Sequence, residues 1–136
     1  MKKLFKTVCA AVLALCCFAL IACGKQPAVV VDGDYVVITV KAENVESGAT
    51  LKAYMDYLQA NDELTYEISD GMVVSINGKA GNGNQYWMLY TNDEENSNEA
   101  WGTCIYQDIT YNSAAYGAES LVVKDGCVYI WYLQTF

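Results

Sequence analysis

The apolar and polar positions divide the chain into short alternating runs with one helical stretch among them. Leu51, Tyr54, Met55 and Leu58 recur at i, i+3, i+4 and i+7, the period of an amphipathic helix, while Lys52, Asp56 and Gln59 fall off that stripe. Thr50 offers an N-cap hydroxyl to the unpaired amides of the first turn, and Asn61-Asp62 ends the helix. Around it the period drops to two. Tyr35–Lys41 reads as a first strand with Val36, Ile38 and Val40 on one face, and Leu64–Ile68 as a second. Asp70-Gly71 is a tight-turn signal that leads into a strand over Met72–Ile76.

The glycines and asparagines of Asn77–Gln85 accept positive φ cheaply, so this stretch reads as a turn, with Tyr86–Thr91 as the returning strand. Met72–Leu89 is then a hairpin around which the rest is organised. From Asn92 to Tyr116 regularity is lost, apart from a short strand at Thr103–Tyr106. Leu121–Val123 and Cys127–Leu133 supply the last two strands, with a turn at Lys124-Asp125-Gly126 between them. One short helix among strands implies an α+β domain with the helix packed on one face of a sheet.

The final strand is apolar on both faces, with Val128, Ile130 and Tyr132 pointing one way and Cys127, Tyr129, Trp131 and Leu133 the other. An antiparallel sheet with one wet face should alternate apolar with polar. Either the aromatic segment 92–116 covers the second face, or something outside the chain does.

The N-terminus adds a destination. Lys2, Lys3 and Lys6 precede an apolar run from Val8 to Ile21, closed by Leu20-Ile21-Ala22-Cys23. This is a secretion signal over residues 1–22. Cysteine directly after Leu-Ile-Ala is the bacterial lipoprotein pattern, in which Cys23 is lipidated and becomes the new N-terminus. The run is shorter than the roughly 20 residues that span a bilayer. Residues 23–34 then read as a lipidated tether and 35–136 as the domain, held by acyl chains on the outer face of the cell membrane.

Past the signal, five lysines stand against sixteen carboxylates, a net charge of −11. Such a surface repels phosphate backbones, which argues against nucleic acid as a partner. There is no histidine and no arginine anywhere, so the usual general acid–base group and the usual phosphate clamp are both missing. The reading is not an enzyme, and no cofactor is required. Asp93, Glu95, Ser97 and Glu99 alternate as a calcium loop would begin, but Ala100 stands where its glycine is wanted, so no metal is expected. Outside the cytoplasm Cys104 and Cys127 can form a disulfide, or can remain two buried thiols.

Ser75-Ile-Asn-Gly78-Lys79-Ala80, Tyr86-Trp87-Met-Leu89, and Gly117 nine residues before Gly126 stand in an order that resembles the C-terminal β domain of transcobalamin and intrinsic factor. Bacterial lipoproteins carry stand-alone versions of that domain. The resemblance covers about Tyr35–Phe136 and is specific over Ser75–Leu89 and Gly117–Leu133. It implies a β-grasp-like mixed sheet of five or six strands on one helix, and a corrinoid ligand such as cobalamin bound for uptake. By motif match Trp87, Leu89 and Gly117 would face that ligand, and Tyr86 and Trp101 complete the candidate set. Each has a structural alternative: Trp87 and Leu89 as core, Gly117 as a turn. The family places its cobalt-binding histidine on a helical domain that this chain lacks, so a partner would complete the site. The alternative function is an adaptor that meets another surface protein without any small ligand.

Overall fold

The computed structural model describes residues 27–136. The secretion signal, Cys23 and the first tether residues lie outside the described residues. Among the described residues nine strands and one α-helix are connected in the order β1 (Val29–Asp32), β2 (Tyr35–Thr39), α1 (Leu51–Ala60), β3 (Tyr66–Ser69), β4 (Met72–Ile76), β5 (Lys79–Ala80), β6 (Gln85–Thr91), β7 (Ser97–Tyr106), β8 (Ile109–Ala114) and β9 (Val128–Thr135). They form a six-stranded sheet in the order β1-β2-β9-β6-β8-β7 and a three-stranded sheet, β3-β4-β5. The α+β class is as expected. The expected mixed sheet is not found, because every ladder among the described residues is antiparallel.

Helix α1 follows its sequence signals closely. Leu51, Tyr54, Met55 and Leu58 are all fully buried, and Thr50 Oγ1 accepts from the Ala53 amide at 3.2 Å. At the other end Asp62 takes positive φ. The amides of Asp62 and Glu63 donate to the carbonyls of Gln59 and Leu58, at 3.1 and 2.9 Å. That pair of bonds is a Schellman motif, with aspartate where glycine is commonest. The helix packs on Val36, Ile38 and Val40, and on Trp87, Leu89, Tyr129, Trp131 and Leu133 from the large sheet. Even the buried Tyr54 hydroxyl is satisfied, accepting from the Lys41 amide at 3.2 Å and donating to the Thr39 carbonyl at 3.4 Å.

The sheet's second face has a core of its own. Tyr90, Ile130, Cys104, Tyr106 and Tyr111 are buried together, with Tyr35, Val37, Met88, Val128 and Tyr132 packed around them. The cover comes from within the chain. Strands β7 and β8, joined by Gln107-Asp108 with both residues at positive φ, form a hairpin paired to β6 at only Tyr90↔Ser113 and Thr91↔Asn112. Positive φ at both central residues is what a type I′ turn requires. Strand β7 is bulged between Asn98 and Thr103, and the hairpin curls back across the sheet. Tyr106 therefore meets the opposite edge: its hydroxyl donates to Asp32 Oδ2 at 3.2 Å, and its ring lies 5.2 Å from that of Tyr35.

Four expectations are corrected by these elements. Residues 92–116 are not irregular, and Thr103–Tyr106 is the end of a ten-residue strand. Val29–Asp32, read as tether, is an edge strand hydrogen-bonded to β2. Leu121–Val123 is not a strand beyond one bridge between Val122 and Thr50. Met72–Ile76 and Tyr86–Thr91 are not one hairpin: β4 pairs with β3 and β5, whereas β6 pairs with β8 and β9.

Removing the ring that closes the second face should expose it. Tyr106→Ala is expected to cost about 3 kcal/mol, read as a lowered urea midpoint, with increased binding of a dye specific for exposed apolar surface.

Candidate functional site

The chain changes sheets at Gly81. A Cβ there would sit 2.2 Å from the Gln85 carbonyl oxygen, so only glycine lets the segment after β5 fold tightly enough to start β6. The crossing leaves a seam between β4 of the small sheet and β6 of the large one. Two adjoining cavities open along it, of about 350 and 260 Å³, and they share Met72, Val73 and Trp87 as walls. The larger extends towards Gly81, Gly83 and Tyr86. The smaller runs beneath Leu89, Tyr116 and Gly117 to Trp131.

Four of the five ligand-facing candidates therefore converge on the seam. Their roles differ. Trp87 is 5 % exposed and belongs to the main core, and its indole N–H donates to the Lys79 carbonyl at 2.9 Å. It is a strut between the sheets that shows the cavities a wall. Leu89 lies one pleat further along the same face of β6 and is also core. Gly117 is exposed and starts the turn that caps the helix. The Ala118 and Leu121 carbonyls accept the amides of Lys52 and Leu51, each at 2.8 Å. Tyr86 is half exposed, its ring 5.9 Å from that of Phe136. Trp101, 64 % exposed beside the β7 bulge, lines neither cavity.

Met72, Val73, Tyr116 and Trp131 also line the walls and were missed in the sequence. Met72 is 56 % exposed at the rim. Its sequence signal was an apolar residue directly after a tight turn. Trp131 is 4 % exposed, yet its Nε1 has no hydrogen-bond partner among the described residues. An unmet buried donor costs about 1–3 kcal/mol, so native folds leave few of them.

The remaining candidates have structural employment. Asp93 is buried and accepts from the Glu95 amide, from Asn96 Nδ2 at 2.7 Å and from Lys124 Nζ at 2.9 Å. Lys124 also pairs with Glu95 at 2.8 Å. Two of the three carboxylates that suggested a calcium loop, Asp93 and Glu95, thus face one ammonium group. Burial alone would raise the Asp93 pKa, but the bonds from Asn96 and Lys124 outweigh it and hold the carboxyl below its ordinary value. Cys104 and Cys127 are both free, so of the two readings left open the disulfide is the one not found. Cys104 lies in the second core and Cys127 against the first, on opposite faces of the sheet. Burial pushes the Cys104 thiol up to about 11.

Comparison with known proteins gives no match to a family model, to a curated protein or to a solved structure.

Two outcomes follow from these contacts. Trp87→Ala is expected to destabilise the fold by about 3–5 kcal/mol, because it removes core volume and the tie to Lys79 together; a denaturant titration reads this directly. For Asp93 the native pKa is depressed, so its contribution is complete above the unfolded carboxylate value of about 4 and is lost as pH falls from there through the lower native value. Asp93→Asn should lower Tm at pH 7 by on the order of 5 °C. The gap to the parent chain should close on acidification below pH 4.

Proposed function

We propose that the chain is a membrane-anchored extracytoplasmic lipoprotein that binds a small ligand at the seam between its two sheets, without catalysing a reaction. The observation that carries this reading is the convergence of Trp87, Leu89, Gly117 and Tyr86 on two adjoining, largely apolar cavities. Aromatic and aliphatic walls with a few polar atoms are what small-ligand sites generally present. A corrinoid is the ligand class suggested by the resemblance to the transcobalamin C-terminal β domain, and a β-grasp-like origin for the fold rests on the same resemblance. Sites for small molecules run from about 300 to 1,000 Å³. Cavities of about 350 and 260 Å³ suit the edge or one substituent of a broad macrocycle rather than the whole. A half-site of that kind fits a chain that hands its ligand to, or shares it with, a partner protein at the cell surface.

The adaptor reading has one observation in its favour. Trp101 and Ile105 are both 64 % exposed on β7, away from the seam, where large apolar side chains commonly meet another protein.

Calorimetric titration of the chain with cyanocobalamin and with cobinamide decides between them. Saturable heat at micromolar concentrations supports the ligand reading. Tyr86→Ala and Met72→Ala, on the exposed rim, should then each weaken binding about tenfold, or 1.4 kcal/mol, with Tm within a few degrees of the parent. Silence with both corrinoids overturns the corrinoid assignment and favours the protein partner.

A further inference from the structure

The chain has three indole N–H groups, and they are in three different states. That of Trp87 is spent on the Lys79 carbonyl. Trp101 stands largely in solvent. Trp131 is enclosed, lines the smaller cavity, and has a donor that no group among the described residues satisfies. Strand pairing sets Trp131 directly opposite Leu89, so it shares the face that looks towards the seam.

The walls narrow the chemistry further. Among the described residues no charged side chain lines this cavity, and the chain beyond the signal carries a net charge of −11. A carboxylate or phosphate brought here would be desolvated with no countercharge, which apolar surroundings penalise heavily. A neutral acceptor loses far less on entry and satisfies the donor.

We infer that the Trp131 indole N–H is the specificity-determining donor of the seam, and that it selects a neutral ligand carrying a carbonyl or amide oxygen on a flat apolar edge. This rests on the seam being the ligand site and adds what the ligand must present there. Hydrocarbon of the same shape fills the cavity without meeting the donor, and an anion of the same shape is excluded. Discrimination of this kind is strong because the loser leaves a buried polar group unpaired.

Three probes of similar size separate the possibilities: acetanilide, propylbenzene and benzoate. Each is titrated into the full-length chain, labelled with ¹⁵N at the indoles and ¹³C at the methionine methyls and held in lipid nanodiscs. Acetanilide is expected to move the Trp131 indole signal downfield saturably while that of Trp87 stays in place. Propylbenzene should bind about tenfold more weakly and benzoate not measurably. Trp131→Phe should erase the advantage of acetanilide over propylbenzene; should that variant not fold, the indole shift in the parent chain decides alone. If acetanilide saturates the Met72 methyl signal and the Trp131 indole does not respond, the inference is overturned while the seam stands as a site. If no probe moves either signal, the seam reading fails and the inference with it.

Discussion

Strand β9 carries apolar side chains on both of its faces, and water has to be kept from each. It lies between β2 and β6 near the middle of the large sheet, so no edge position relieves it. On one side the solution is helix α1, whose four buried residues cover Tyr129, Trp131 and Leu133. On the other it is a hairpin that bends over the sheet and brings Cys104, Tyr106 and Tyr111 down onto Ile130. Burial on both faces is the rule in parallel sheets and the exception in antiparallel ones. Here it is reached by folding one edge of the sheet over itself until Tyr106 meets Asp32 on the other edge.

The seam follows from the same constraint. The small sheet β3-β4-β5 adds Val73 and Ile76 to the main core, and where it meets β6 Trp87 fixes the spacing by bonding to Lys79. A bulky indole acting as a spacer leaves room on either side of itself, and those are the two cavities. The loop from Gly117 to Leu121 closes the far end while capping the helix. A change in that loop therefore reaches the helix start and the cavity wall at once.

What the sequence revealed tracks how local each determinant is. Helix α1 was legible to its ends, because a 3.6-residue stripe, a threonine cap and an Asn-Asp stop all lie within a dozen residues. Tight turns at Asp70-Gly71 and Asn77-Gly78 were legible too, and both pairs take positive φ. The hairpin of β7 and β8 was hidden because its turn is Gln107-Asp108, an uncommon pair for that geometry, and because the β7 bulge breaks the alternation. Residues 72–89 looked like one hairpin since nothing local records that Gly81 passes the chain to a different sheet. The mixed sheet was implied by resemblance rather than by pattern, and the strand pairings do not support it. At the site, Trp87 and Leu89 could be chosen together because they alternate on one strand. Trp131 could be placed on a face but not beside Gly117, which is fourteen positions away in the chain and joined to it only by the fold.

The separation of Cys104 from Cys127 bears on how such a protein is made. A sheet lies between the two sulfurs, so the fold does not rest on joining them. The thiolate is the form that attacks a disulfide, and a Cys104 thiol pushed up to about 11 is almost entirely protonated at neutral pH. Under oxidising conditions the folded chain would keep that sulfur out of exchange chemistry by burial alone. For Cys104 the quality of the packing around it is the whole of that defence.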